Sequence, residues 1–595
     1  MDTLFLGIVI LLAAIGMGRK ILNTLHCDWA DNTEALVFST ALGFGLLAYL
    51  VFGLGSLGLL KSWVFVWVIG VIFALTCRDW SSVFPGVFVL PSSNLRKMIG
   101  FFCVLAAIFS LMGALAPATG QDELCYHLMQ PANYVRAGRI YEVPFSTNSL
   151  WPYLMEMLFT LGILLNGAEL AKFFHFAMYL VAGGAIYCFV KRFGRPKDAF
   201  WGLVIYSLTP ATFIQSAFAY VDNALAAYLF LCAYALCLYS QSKKEHWVIL
   251  AGALAGFAIS TKLIGVFILP IAVVFFLRNF KMSAILKFGA AFLVCGSAWY
   301  LRAAILRGNP IFPFYPQFFG GHGWNDQTYV DAHGRGMGWL SFLTLPWDTT
   351  LYPDWFGGEH IGPLYLMLLP LLIFQRPWQR SRKYALGFAM GYAVLWFKVD
   401  PNIRFFFPAL AFLSAALAPA PEQLMGENKS GWKIFYSLIF VAIFGFLSSL
   451  AVYHFRQEAR LFFSGSKDAY LMVRERSYNV AKIINQKLTR NDRILSTGEA
   501  RGYYFQTPFV LEGDFNDFTH YGERFASARE VVDFLKQNHF THVLSSTLEL
   551  DAQKKPQGLR AQNLIQDAGI KADYFKEELV ISVGSVRYVL YKIKY

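Results

Sequence analysis

"ALVFSTALGFGLLAYLVFGLGSLGLL", Ala35–Leu60, carries no charge over a length beyond the roughly 20 apolar residues a helix needs to cross a bilayer. Runs of the same kind stand at 4–18, "LFLGIVILLAAIGMG", and at 432–455, "WKIFYSLIFVAIFGFLSSLAVYHF". The chain has 595 residues, 56% hydrophobic and only 15% charged. A soluble protein carries about a quarter charged residues. The chain therefore reads as a polytopic helical membrane protein. Its first run is not followed by a small-residue cleavage site, so it reads as a retained helix and not a removed signal.

The net charge of +13 does not point to nucleic acid, because of where the basic residues sit. Arg19 and Lys20, Arg96 and Lys97, Lys191–Lys197, Lys243 and Lys244, Arg278, Lys281 and Lys287, and Arg376–Lys383 all fall in short loops between apolar runs. That is the positive-inside pattern of cytoplasmic loops. Putting those loops inside gives roughly fourteen spans. They lie near 3–18, 36–60, 62–77, 99–116, 170–190, 199–218, 222–240, 247–260, 263–278, 284–304, 361–376, 384–398, 404–420 and 433–452, with both termini outside. The run 149–166, "SLWPYLMEMLFTLGILLN", would invert this order if it crossed, so it reads as a helix at the outer interface or re-entering. The eight cysteines all precede Pro310 and mostly lie inside apolar runs. With no CxxC or Cys/His ligand spacing, neither a disulfide framework nor zinc is expected.

Three regions then face outside: loop 117–169, segment 305–360 and the tail 455–595. The tail loses the apolar blocks. "RILSTGE", "PFVLEG", "THVLSS", "ELVISVG" and "RYVLYKI" predict strands, and "YNVAKIINQKL" and "AREVVDFLKQN" predict amphipathic helices. The expected division is N-terminal helices over 1–98, a membrane domain over 99–454 and a soluble α/β domain over 455–595.

Charge at a membrane is costly and points to function. Several polar groups share one depth, the outer ends of the spans. "GALAPATGQDELCYHLMQPANYVRAGRIYE", Gly113–Glu142, brings Asp122, Glu123, Tyr126 and His127 to the start of the first outer loop. Asp222 stands in "FAYVDNALAAY", Lys262 in "AISTKLIG" and Arg302 in "AWYLRAAILRGNPIFPFYP". Glu359 and His360 stand in "DWFGGEHIGP", and Asp400 and Arg404 in "KVDPNIRFFFPALAF". Each has a plain reading: Asp222 as a helix cap, Lys262 and Arg302 as snorkelling groups, Arg404 as an interfacial anchor, Glu123 as a solvated loop charge. None of these explains why acids and bases share a depth, which suits a reaction on a lipid-borne phosphate.

In the order of these stretches the chain resembles the GT-C membrane glycosyltransferases that use polyprenyl-phosphate sugars, among them protein O-mannosyltransferases and lipid A aminoarabinose transferases. "GQDELCYHL" resembles the acidic start of their first outer loop, "SAWYLRAAILRGNPIFPFYP" a Trp-Tyr…Arg…Gly-Asn-Pro stretch, and "NIRFFFPALAFLSAALA" an Arg-aromatic…Pro helix start. The resemblance implies a GT-C type membrane domain and transfer of one sugar, with inversion, from a polyprenyl (undecaprenyl) phosphate to an acceptor hydroxyl on a cell-envelope glycan, lipid or protein. It implies Asp122 as general base with Glu123 in reserve, and Arg404, Lys262 and Arg302 as donor-phosphate ligands. Asp222, Tyr126, His127, Glu359 and His360 would position substrate. No cofactor is expected to be obligatory. A magnesium or manganese ion held by Asp122, Asp222 and Glu359 stays an open alternative. Glycines at Gly320, Gly321, Gly323, Gly334, Gly336 and Gly338 suggest that segment 305–360 orders on substrate. The expected place is a bacterial inner membrane, with the tail domain periplasmic. The competing reading is a polyprenyl-lipid flippase or transporter, whose coupling residues would sit nearer the bilayer midplane.

Overall fold

The computed structural model describes residues 2–82, 84, 93–278, 281–320, 333–374, 378–426, 430–512, 525–547 and 561–594. Gly321 and Gly323 lie outside the described residues. Among those described, seven helices are long and apolar enough to cross a membrane: Asp2–Thr24, Asn32–Ser56, Asn94–Ala114, Ala168–Phe193, Asp222–Ser242, Ile403–Met425 and Gly431–His454. A bent pair, Met282–Gly296 and Ala298–Arg307, meeting at 57°, adds an eighth candidate.

The other expected crossings are shorter or interrupted. Ser62–Leu75, His246–Thr261 and Leu263–Leu277 are apolar but fall short of 18 residues. The run at 199–218 breaks between Pro196–Ser207 and Pro210–Gln215, because Pro210 has no N–H to continue the first helix. Within the described residues 361–374 the run yields Leu364–Leu368 and Leu371–Phe374. Arg380–Val399 is long enough but carries Arg380, Arg382, Lys383 and Lys398.

The N-terminal pair Asp2–Thr24 and Asn32–Ser56 packs backbone to backbone. A Cβ on Gly18 would lie 2.0 Å from the Ser39 carbonyl oxygen, and one on Gly43 would lie 1.8 Å from that of Ala14. Small residues allow this approach where lipid supplies no hydrophobic drive. The C-terminal end of Asn32–Ser56 is tied to loop 117–169, since Leu60 N–H donates to Gly138 C=O (3.2 Å) and Ile140 N–H to Gly55 C=O (2.9 Å).

The run at 149–166 forms the helix Leu154–Leu165, buried over Leu154–Gly162. Twelve residues span about 18 Å, too short to cross. The helix lies inside the protein and not on an open interface, packed on Asn32–Ser56 and Ala168–Phe193.

The tail forms one sheet of order β2-β1-β3-β5-β4: β1 Ile494–Ser496, β2 Phe509–Leu511, β3 His542–Ser546, β4 Phe575–Val583 and β5 Val586–Ile593. β1 pairs in parallel with β2 and β3, and β5 pairs antiparallel with β3 and β4. Alternation along the strands separates two cores. Ile494, Leu544 and Leu590 meet Val480 and Ile484 of the helix Arg476–Lys487 on one face. Leu495, Val543 and Tyr591 meet Val531, Val532 and Leu535 of Ala528–Gln537 on the other. All five expected strands and both amphipathic helices are present.

The tail also sits on loop 117–169. Tyr504 Oη–H donates to Ala118 C=O at 2.7 Å, Tyr503 N–H to Leu124 C=O at 3.2 Å, and Arg136 Nη2 to Phe505 C=O at 2.9 Å.

Candidate active site

Loop 117–169 leaves the helix Asn94–Ala114 and enters a π-helical turn at Glu123–His127, where Leu128 N–H donates to Glu123 C=O. Such turns are rare and recur at functional sites. The turn separates the two adjacent acids. Glu123 points inward, fully buried, and accepts from Thr119 N–H, Gly120 N–H and Ala219 N–H, each at 2.7 Å. Gly120 makes room for it: a Cβ there would lie 2.8 Å from Phe218 and 3.1 Å from Glu123. The expectation of Glu123 as reserve base or solvated charge is corrected, because its oxygens are engaged in holding the loop.

Asp122 points the other way and accepts from Arg404 Nη2 at 2.6 Å. Arg404 opens the span Ile403–Met425. Its turn is fixed by the Asn402 side chain, which accepts from Arg404 N–H, and by Trp396, whose Nε1–H donates to Asn402 C=O at 2.7 Å. The guanidinium carbon lies 5.0 Å from the Tyr220 ring centre. Its Nε lies 3.7 Å from Glu359 Oε1, which also accepts from Gln215 Nε2 at 3.2 Å. Glu359 follows Gly357 and Gly358, whose φ of +96° and +87° make the tight turn that aims it here.

The second ion pair joins Lys262 Nζ to Asp222 Oδ1 at 2.9 Å. Asp222 is 1% exposed at the start of Asp222–Ser242, and Lys262 ends His246–Thr261 and lies over the Phe405 ring at 3.9 Å. Arg404 feels both Asp122 and Asp222, so the two pairs form one electrostatic cluster at neighbouring helix ends. Five expected residues thus come together: Asp122, Asp222, Lys262, Glu359 and Arg404.

The remaining expected residues are placed differently. His127 is buried and its Nδ1 meets Glu156 Oε1 at 2.6 Å, while its ring centre lies 4.1 Å from that of Tyr126 and 5.6 Å from that of Tyr220. His127 and Tyr126 therefore back the cluster through Tyr220. Arg302 is corrected as a phosphate ligand, since its guanidinium donates to Ser149 C=O (2.8 Å) and Tyr141 C=O (2.9 Å) and braces the loop. The His360 side chain is exposed, and its contribution here is its backbone C=O, which accepts from Ala211 N–H at 2.8 Å. Asp400 turns away to His333 Nδ1 at 2.8 Å. Among the described residues no three His, Cys, Asp or Glu groups, Asp122, Asp222 and Glu359 included, stand at metal-binding spacing.

Sequence reasoning missed Tyr220, Gln215 and Glu156. Tyr220 stands two residues before Asp222 in a stretch already singled out, and Glu156 lies in a run read for its depth alone. No local signal marked Gln215.

Residues 148–301 match the family described as dolichyl-phosphate-mannose-protein mannosyltransferase. No curated protein matches the sequence. Among solved structures, the fold is similar to ArnT from Cupriavidus metallidurans bound to undecaprenyl phosphate, with TM-score 0.54 and 14% identity over 83% of this chain and 97% of that one. The apo form of the same protein gives TM-score 0.52 and 14% identity over 84% and 98%. AglB from Archaeoglobus fulgidus is matched at TM-score 0.46 and 12% identity over 76% of this chain and 70% of that one. The chain is a multi-pass membrane protein that shares its fold with that ArnT structure and carries a C-terminal α/β domain.

Proposed function

We propose that the chain transfers a sugar from a polyprenyl-phosphate donor to a hydroxyl of a glycan, lipid or protein acceptor, with inversion at the anomeric carbon. The observation that carries this is the pairing of Asp122 with Arg404 where the first outer loop leaves the membrane. Such a reaction needs a carboxylate to take the acceptor's proton as it attacks. It also needs fixed positive charge on the phosphate as the bond to the sugar breaks. Arg404 suits a phosphate because its planar fork holds two oxygens at once. Before substrate arrives Asp122 holds one arm of that fork, Nη2, so a donor phosphate that takes both arms also frees the base.

Lys262 adds a second positive charge beside the phosphate, with Asp222 keeping it in place. The match of residues 148–301 to a family named for a dolichyl-phosphate sugar donor supports this donor class, as does the fold shared with a protein bound to undecaprenyl phosphate. We place the site on the periplasmic side of a bacterial inner membrane, because the basic loops lie at the opposite helix ends. The tail domain, bolted to the loop that holds Asp122, is the part positioned to select the acceptor.

The test is transfer by the purified chain and by Asp122→Asn, supplied with a panel of polyprenyl-phosphate sugars and cell-envelope acceptors, with release of lipid phosphate as the readout. Turnover that collapses in the variant is expected. Donor lipid moved across a bilayer without release of phosphate would favour transport instead.

A further inference from the structure

The proposed transfer leaves one proton to be placed, and this inference rests on that reading. The donor is a phosphodiester carrying one negative charge. When an acceptor hydroxyl attacks the anomeric carbon, a C–O bond forms, the bond from that carbon to the phosphate oxygen breaks, and its electron pair leaves with the phosphate. The acceptor's proton goes to the base. The lipid monophosphate departs with two negative charges unless a proton reaches it in the same site.

Glu359 has the geometry of that proton's source. Its carboxyl shares one guanidinium with Asp122: Arg404 Nη2 meets Asp122 at 2.6 Å and Nε lies 3.7 Å from Glu359 Oε1. That Oε1 accepts from Gln215 Nε2. The other oxygen, Oε2, is buried and has no hydrogen-bond partner. A buried carboxylate oxygen with no donor is costly to leave unsatisfied, whereas a protonated one carries an O–H able to donate to a ligand. The consecutive left-handed glycines Gly357 and Gly358 fix the approach of Glu359 to the cluster.

We propose that Glu359 is the acid of the reaction, a neutral carboxylic acid in the resting protein that delivers its proton to the leaving lipid phosphate held by Arg404. The proton taken from the acceptor by Asp122 then returns to Glu359 through water, so each turnover moves one proton from acceptor to phosphate and leaves the protein unchanged. The groups facing Glu359 agree. Burial pushes its carboxyl up to about 7 against the pull of Arg404 and of its own backbone N–H, while Asp222 and Asp122 push it the same way as burial. Lys262 is already matched by Asp222, and Gln215 brings no charge.

Two measurements on the full chain in lipid nanodiscs test this. Infrared difference spectra taken from about pH 5.5 to about pH 8.5 cover the raised carboxyl range, while ordinary carboxyls, which titrate near about 4, stay ionised throughout. They are expected to show a protonated-carboxyl band titrating near 7 that is missing in Glu359→Gln. The turnover rate kcat is expected to fall as pH rises through that value, because the acid form is the active one. Glu359→Gln should lower kcat by ~10²-fold and flatten this limb, whereas Glu359→Asp should keep it. A wild-type spectrum without that band overturns the proposal, and so does a Glu359→Gln variant that turns over like the wild type. No turnover with any donor overturns the transfer reading and the acid role with it. A missing band in an active enzyme overturns the acid role alone.

Discussion

Asp122 and Arg404 are 282 positions apart in the chain and 2.6 Å apart in space, one in the loop after Asn94–Ala114 and the other at the start of a late span. The pair predicts a split between binding and chemistry. Asp122→Asn keeps the shape and removes the base, so kcat should fall by ~10²–10⁴-fold. Donor binding should hold or tighten, because Arg404 loses its competing carboxylate. Arg404→Lys should weaken donor binding, since one ammonium cannot hold two phosphate oxygens as a fork does. Binding of undecaprenyl phosphate, followed by calorimetry beside turnover, separates the two. Equal loss of binding in both variants would contradict the assignment.

Glu123 and Asp122 are neighbours with opposite duties. Glu123→Gln turns one acceptor oxygen into an N–H facing backbone N–H groups, which should cost about 1–3 kcal/mol of stability. Activity per folded molecule should stay near wild type. Thermal unfolding together with turnover corrected for folded fraction checks this. A large loss of kcat at full stability would return Glu123 to the list of bases.

The helical membrane class was legible from composition and block length, and the tail's five strands from alternation, because both are local patterns. The positions of Asp122, Asp222, Lys262, Glu359 and Arg404 at helix ends were legible from depth alone. Which acid does what was not legible, because a π-helical turn at Glu123–His127 decides it by sending adjacent side chains in opposite directions. Arg302 shows the same limit. Its place in a matching stretch said nothing of the two carbonyls it holds. Among the described residues seven of the expected spans stand as long apolar helices and most of the others are shorter, bent or broken, because a proline or a bend can interrupt an apolar run without changing its composition.

The pair of Lys262 with Asp222 bears on stability as well as on the proposed transfer. Asp222 is almost fully buried, while the Lys262 side chain keeps 21% of its exposure. Removing one partner of a fully buried pair costs about 3–5 kcal/mol, so partial exposure brings the estimate for Lys262→Met to about 2 kcal/mol. Asp222→Asn combined with Lys262→Met should recover part of the lost melting temperature, since no charge is then left alone. A double variant less stable than the sum of the singles would count against the pairing.

The tail domain should lose stability in acid through His542. This side chain is 3% exposed on β3 and lies 3.9 Å from Asp492 and 3.5 Å from Glu578, with Lys592 nearby. Burial pushes its imidazole below 6.5, outweighing the two acids. The folded domain then binds fewer protons than the unfolded one once pH drops below 6.5, so stability present above that value is lost as pH falls toward the folded value. Unfolding of the tail, followed by hydrogen exchange at β3 and β5 across this range, should show the loss in the wild type and a flatter profile in His542→Gln. An unchanged profile in the variant would assign the loss to other groups.

The N-terminal helices reach the site through the loop that they hold. Gly43 sits where any side chain would collide with the Ala14 carbonyl, so Gly43→Val must push Asp2–Thr24 and Asn32–Ser56 apart. Overpacking of this kind costs about 1–3 kcal/mol. The displaced Asn32–Ser56 carries Gly55, whose C=O accepts from Ile140 N–H, and the loop after it carries Leu60, whose N–H donates to Gly138 C=O. Loss of those two bonds should raise hydrogen exchange at 138–142 and lower turnover, with donor binding at Arg404 less affected because that residue stands on another span. Exchange at 138–142 that stays at the wild-type level while the helices separate would mean that the loop is held by Arg302 and the tail alone.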